Sequence, residues 1–357
     1  MEIARDRFQT LVLGAVLALV VGWVLHVGQA VFVPIVFSVL IVYVITGLAR
    51  LMQRVPRLGP RLPRQLRYLL SIGAIGLVLA AGASLVVNNV GRVVEIAPDY
   101  QDSLLEKIQQ VMVYFGIERA ATWTTLRDDF LGEIDVQALV GSTVMSATGV
   151  LTTLLVVLLY VIFLLLEQRS FPEKVRRVSD DPRDVARLQR VLADINDRIG
   201  AYLALKTFIN ILLGVVSWAI LSMMGVEFAA FWAVVIAVLN YVPYIGSFLG
   251  VMFPVALSIV QFDDLAQVLT LAAALTAAQF VIGNFLDPFL MGNQLNLSPF
   301  VILASLAIWS ALWGIPGAFL AVPITAVLII VLSGFKGTRP IAVLLSRNGE
   351  VGEAPDG

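Results

Sequence analysis

Long charge-free runs dominate the chain. They cover Phe8–Ala49, Tyr68–Gly91, Val136–Leu166, Thr207–Val226, Phe228–Phe262, Leu265–Leu286 and Pro288–Phe335. A helix crossing a hydrocarbon layer of about 30 Å needs about 20 apolar residues. The first run is long enough for two such spans, parted near Gln29–Pro34. A β-barrel would alternate apolar and polar residues, and these runs do not. The pattern predicts an all-α, polytopic integral membrane protein. It has about 6 full transmembrane helices plus two interrupted, re-entrant hairpin-like segments, or about 8 spans if those two are kinked helices.

The first interrupted segment, Phe228–Phe262, is too long for one upright span and short for two. Its centre reads Asn240-Tyr-Val-Pro-Tyr-Ile-Gly-Ser-Phe-Leu-Gly250. Pro243 removes a backbone donor and disfavours helix at Val242, while Gly246 and Gly250 permit backbone geometries that other residues resist. The second, Ser298–Phe335, starts at Pro299, breaks at Gly314, Pro316 and Gly317, and continues to Pro323. Each resembles two half-helices meeting at a non-helical tip, tolerated at membrane depth only where protein or water covers the freed backbone. Each follows a full span, Thr207–Met224 or Leu265–Leu286. If both are hairpins, those spans cross in opposite directions and the units are inverted repeats; single kinked spans are the alternative.

Charge then orients the chain. The total of −1 says little, but its distribution does. Arg50, Arg54, Arg57, Arg61, Arg64 and Arg67 crowd the loop after the second span with no acid among them. Arginine-rich short loops stay cytoplasmic. The acid-rich stretch 92–135 is then external, the basic stretch 167–206 internal, and both termini cytoplasmic. The expected organisation is 1–91, three transmembrane helices; 92–143, an external amphipathic segment; 144–166, the fourth helix; 167–206, a cytoplasmic amphipathic segment; 207–335, a transport domain with both broken segments; and 336–357, a cytoplasmic tail. Stripes at helical spacing mark the two amphipathic segments: Tyr100, Leu104, Ile108, Val111 and Phe115, and Val185, Leu188, Val191, Ile195, Ile199 and Tyr202. Phe8–Val27 is too long for a typical signal-peptide core and is expected to remain.

One carboxylate, Asp287, lies in the otherwise uncharged stretch Leu265–Phe335. An ionised side chain at a helix centre in lipid costs roughly 2.5–3.5 kcal/mol on insertion scales. It is therefore expected to face protein, water or a translocated solute. Its setting, Gly283-Asn-Phe-Leu-Asp-Pro288 followed by Gly292, can interrupt a helix. Asp287 is a candidate to bind a cation, exchange a proton or accept hydrogen bonds from a polyol; capping before Pro288 is the structural alternative. Asn284, Asn240 and Tyr244 sit beside the breaks and are candidates for solute contact, the two amides equally for satisfying freed backbone groups. Pro243, Gly246, Gly250, Gly283, Pro288, Gly292, Pro299, Gly314, Pro316, Gly317 and Pro323 are candidates to shape the breaks and gate them. No catalytic set is recognisable: His26 is the sole histidine, cysteine is absent, and no second intramembrane carboxylate faces Asp287. No Walker loop is present. No metal, cofactor or nucleic-acid partner is expected.

Several blocks in order resemble the autoinducer-2 exporter family of bacterial membrane transporters. They are Ala201-Tyr-Leu, Pro243-Tyr-Ile-Gly246, Gly283-Asn-Phe-Leu-Asp-Pro288 with Met291-Gly292, Leu297-Ser-Pro299, and Trp313-Gly-Ile-Pro-Gly-Ala-Phe-Leu-Ala-Val-Pro323. Histidine often precedes the proline of the fourth block in that family; here it is Ser298, so no proton-handling role is carried over to that position. The resemblance implies a multi-span exporter in the inner membrane, with a mobile hairpin-containing domain and assembly into a homo-oligomer, a pentamer in the family. Autoinducer-2-like signals and monovalent cations or protons are the cargoes it suggests. The expected function is a secondary transporter exporting a small polar solute on an ion or proton gradient. A cation–proton antiporter is the alternative, and a passive channel or scaffold a further one.

Overall fold

The computed structural model describes residues 2–54, 62–78, 80–82, 84, 85, 89, 107, 109, 136–168, 170–291 and 295–350. Gly292 and the stripe Tyr100–Phe115 lie outside the described residues. The described residues form α1 (Glu2–Val27), α2 (Gln29–Arg54), α3 (Arg64–Gly82), α4 (Val136–Glu167), α5 (Phe171–Arg176) and α6 (Pro182–Met223). Then come α7 (Ala229–Leu239), α8 (Ile245–Gln261), α9 (Leu265–Val281), a π-turn (Ile282–Leu286), α10 (Asp287–Met291), α11 (Pro299–Ser333) and α12 (Arg339–Leu345). The fold is all-α and membrane-spanning: among the described residues, five helices are long and apolar enough to cross a bilayer.

The chain divides into two compact units. One contains Met1–Leu51, Leu154–Ala204 and Asn293–Gly357; the other contains Met52–Thr153 and Leu205–Gly292. The two interrupted segments fall in different units.

In the second unit, α7 and α8 form a helical hairpin. Its register is antiparallel: Gly246 crosses Leu239, Gly250 lies against Ile236, and the Phe253 ring meets Trp232 at 6.2 Å. The tip is built from local bonds that replace helix pairing. Val242 N–H donates to Leu239 O, Gly246 N–H to Val242 O, and Ile245 N–H to Pro243 O at 2.7 Å. The last bond closes a three-residue γ-turn on Tyr244, whose φ of 61° and ψ of −59° are strained for a bulky residue. Across the hairpin, α6 comes close at Gly214, where an added Cβ would sit 3.0 Å from Ala237 Cβ. Ile209, Leu213, Leu221, Ile236, Leu271 and Leu275 fill the core between these helices.

In the first unit, α11 is not a single rod. Gly314 adopts φ 63°, ψ −139°, a backbone conformation essentially reserved for glycine. Beyond it the chain reverses, so that an added Cβ on Gly317 would lie 1.8 Å from Trp309 O. Eight residues of straight helix would separate those positions by about 12 Å. The two tips share one crossing. At Gly246 the nearest atoms to an added Cβ are Leu239 O, Leu239 C and Asn240 N; at Gly317 they are Trp309 O, Trp309 C and Ser310 N. Both interrupted segments are therefore hairpins and not kinked rods.

Three expectations are corrected. The boundary drawn at 206 lies beside the division between the units at Ala204 and Leu205 but is not a break in the helix, because α6 runs unbroken for 42 residues from Pro182 to Met223; no proline or turn lies inside it to stop it. Its buried face carries Ile195, Ile199 and Tyr202, members of the stripe read from sequence. The Gly283–Pro288 motif does not break its helix but widens one turn of it into a π-turn. Gly250 and Pro323 lie inside hairpin arms and interrupt neither; Gly250 instead admits Ile236, whose Cα would be 3.5 Å from an added Cβ. Pro299 opens α11 as its first residue, behind Ser298, whose hydroxyl caps Val301 N–H at 3.2 Å.

A methyl group at either crossing glycine would meet backbone, which cannot rotate away. Gly246→Ala and Gly317→Ala are each expected to lower the melting temperature of the detergent-purified protein, by a destabilisation of 3 kcal/mol or more, beyond the ~1–3 kcal/mol usual for overpacking. Gly73→Ala, with nothing within 4 Å of its added Cβ, is expected to melt as wild type. Unchanged melting of both crossing variants would show that the tips are open.

Candidate functional site

The polar chemistry of the second unit lies on helix faces that are otherwise core. On α6, Lys206, Ile209, Asn210, Leu213, Ser217 and Leu221 form one buried stripe at helical spacing. On α9, the buried Val268, Leu271 and Leu275 lead to the half-buried Gln279, and then to Ile282 at the start of the π-turn. These stripes hold the polar groups inside the bundle, at the end where hairpin α7–α8 has its tip.

At that end Lys206 Nζ donates to Asp287 Oδ2 at 2.9 Å. The side chains are only 10% and 22% exposed, so the pair is shielded from solvent. The second carboxylate oxygen, Asp287 Oδ1, is buried without a hydrogen-bond partner. The π-turn aims this carboxylate. Pro288 has no N–H to continue α-type pairing, and Asp287 N–H reaches back five residues to Ile282 O. Asn284, exposed, donates from Nδ2 to Phe280 O at 3.2 Å on its own helix. Asp287 thus has a cationic partner that sequence reasoning did not provide.

One turn along α6 from Lys206, Asn210 meets the hairpin tip. Asn240 Nδ2 donates to Asn210 Oδ1 at 2.8 Å, while Asn240 Oδ1 accepts from Ser247 Oγ at 3.2 Å and from Gln279 Nε2 at 2.8 Å. Gln279 Nε2 also donates to Ser247 Oγ at 2.8 Å, and Gln279 Oε1 is buried without a partner. Next to Asn240, the Tyr241 hydroxyl lies 2.7 Å from Thr207 Oγ1. Tyr244 stands exposed at the turn.

The tip in the first unit carries different chemistry. Trp309 and Trp313 pack 5.2 Å apart, with Trp309 Nε1 donating to Thr325 Oγ1 at 3.2 Å. Trp313 Nε1 donates to Leu25 O, and His26 Nδ1 to Leu312 O, both at 2.8 Å. Leu312 O is the carbonyl that Pro316, lacking an N–H, leaves without its helical donor. Here α1 closes the tip with one carbonyl that accepts from the Trp313 indole and one imidazole N–H that donates to Leu312 O.

Of the residues expected at a site, the structure brings Asp287 and Asn240 into the second unit's polar cluster, leaves Tyr244 at its edge, and turns Asn284 onto its own backbone. The sequence reading missed Lys206, Asn210, Ser247 and Gln279. By sequence, Lys206 ends the basic stretch 167–206. The available signal was a polar residue recurring on the apolar stripe of each helix, and the need of a membrane carboxylate for a counter-charge.

Hairpins with interrupted backbone inside an apolar bundle, and a shielded ion pair beside one tip, define a polytopic membrane transport protein. The chain belongs to the AI-2E transporter family, whose sequence model matches residues 13–336. It is 29% identical over 343 residues to the AI-2 transport protein TqsA of Escherichia coli K12, covering 94% of each chain. It is 33% identical over 245 residues to "Putative transport protein YhhT" of the same strain, covering 68% of this chain and 67% of that one.

Removing one member of the ion pair strands the other. Lys206→Met is expected to destabilise the protein by about 3–5 kcal/mol, and the double variant Lys206→Met/Asp287→Leu to recover most of that loss. Thermal unfolding of the purified proteins in one detergent checks this; equal losses in single and double variants would show that the two groups do not interact.

Proposed function

We propose that the chain is a secondary transporter of the bacterial inner membrane that exports a small polar solute, driven by an ion or proton gradient through the Lys206–Asp287 pair. The carrying observation is that pair, shielded and with one carboxylate oxygen free of partners. Paired, the two side chains have no net charge, which lowers their cost in an apolar bundle. A proton or cation taken up on Asp287 weakens its hold on Lys206. The occupied and empty states then differ in charge and in the bond joining α6 to α10. That difference links occupancy to conformation, as a coupling group requires.

The solute is of the kind named for TqsA, an autoinducer-2-like signal, and it is a proposal for this chain. A homo-oligomer, with both termini on the cytoplasmic side, completes the reading. Cation–proton exchange without solute is the second reading, and the same pair favours it: an ion and a proton competing for Asp287 need no further site.

Proteoliposomes under imposed sodium and proton gradients, offered radiolabelled signals, sugars and cations, test the proposal. Saturable uptake with counterflow is expected, and Asp287→Asn should reduce gradient-driven flux at least about tenfold, a barrier change of about 1.4 kcal/mol or more. Cation flux alone would select the antiporter. Flux linear in concentration, without counterflow and indifferent to Asp287→Asn, would make the protein a channel.

A further inference from the structure

The tip of hairpin α7–α8 gathers four uncharged polar side chains from three parts of the second unit: Asn210 on α6, Asn240 and Ser247 on either side of the turn, and Gln279 on α9. Asn210 and Asn240 are 2% and 5% exposed. We propose that Asn210, Asn240, Ser247 and Gln279 form a binding site for an uncharged solute bearing adjacent hydroxyl groups. The inference rests on the transport reading above and gives that reading its solute site.

The polarity of the cluster selects the ligand class. Amide N–H groups of Asn240 and Gln279 point into it, and a bare cation would meet their positive ends. Asn240 Oδ1 lies among them and Gln279 Oε1 is buried without a partner, and an anion would meet those acceptors. A hydroxyl suits both, accepting from an amide N–H while donating to an amide oxygen. Gln279 Oε1 stands buried without the donor it needs. A buried acceptor left unpaired is unfavourable, whereas leucine or methionine at that point of the α9 stripe would leave no polar atom to satisfy. A hydroxyl arriving at the tip completes it. In its absence the four side chains hold one another, with Asn240 accepting two hydrogen bonds and donating one.

The site also sits where it can influence the ion pair. Asn210 is one turn from Lys206 on the same face of α6, and α9 carries Gln279 towards the π-turn and Asp287. A solute that pulls Asn240 or Gln279 out of the present network therefore loads the two helices that the Lys206–Asp287 bond joins.

The test uses the full chain in nanodiscs with radiolabelled erythritol and ribitol as probes, and sodium chloride and potassium phosphate as the charged counterparts. Saturable binding of at least one polyol is expected, weakened tenfold or more by Gln279→Leu and severalfold by Ser247→Ala. Ser247→Ala removes one hydroxyl at little cost in volume, so it keeps the proposal testable if Gln279→Leu folds poorly. A cluster that merely pins the hairpin would change melting temperature in these variants without changing polyol affinity. Failure of both polyols to bind saturably overturns the proposal. So does wild-type affinity in both variants, or competition of sodium or phosphate at the same residues. The two readings separate cleanly. Polyol binding that depends on Gln279, with no gradient-driven flux, keeps the site and removes the transport mechanism; gradient-driven flux indifferent to Gln279 does the reverse.

Discussion

Helix interruptions among the described residues have to be satisfied from within, because lipid offers no hydrogen bonds to a freed backbone group. That constraint explains how three of its prolines are accommodated. Pro288 is accommodated by shifting the pairing one residue, Asp287 N–H to Ile282 O, with Asn284 adding a donor to Phe280 O. Pro316 leaves Leu312 O to be met by His26. The turn around Pro243 pairs its own groups locally, at the expense of a strained Tyr244.

The two tips solve the same problem with the same backbone crossing and then diverge. At Gly317 the surroundings are indoles and the end of α1, and all three side-chain N–H bonds noted there are spent on fixing the tip or its neighbours in place. At Gly246 the backbone satisfies itself, so the side chains of Asn240, Ser247 and Gln279 remain available to bond with one another. A shared geometry thus gives one tip held by α1 and one tip whose polar side chains bond with one another. The sequence similarity of Gly246-Ser-Phe-Leu-Gly250 and Gly317-Ala-Phe-Leu-Ala321 marks the common geometry. The serine-to-alanine difference within it marks the divergence.

Composition and charge-free runs were enough to read an all-α membrane protein, and Pro243, Gly246, Gly314 and Gly317 were enough to mark where both segments are interrupted, though not whether each is a hairpin or a kinked span. Those residues act on the backbone of their own segment, so their effect is visible in a single chain. The ion pair was not legible in the same way. Lys206 and Asp287 are 81 residues apart, and a lysine at the edge of an apolar run looks like the end of a loop until α6 is seen to pass through it. Gln279 and Asn210 were hidden for a related reason: an amide among apolar residues reads as tolerated polarity until its neighbours on the stripe are known to be core. Proline in Asn284-Phe-Leu-Asp-Pro288 signalled an irregularity correctly but not its kind, since a widened turn and a break begin with the same missing donor.

The presence of Lys206 changes what Asp287 can do. A lone carboxylate in an apolar bundle tends towards its neutral form, and taking up a proton or cation relieves it of an unfavourable charge. A carboxylate already paired at 2.9 Å can take an incoming cation only by displacing an ammonium that is then left shielded and uncompensated. The released lysine must find another acceptor or move towards water. Each outcome requires α6 or α10 to rearrange, or a second charge to move. Pairing therefore weakens binding at the carboxylate and, in return, makes binding inseparable from a change elsewhere. A transporter needs that dependence more than it needs affinity: a site that binds tightly without consequence retains its ion, whereas one that must break a bond between two helices can hand it on.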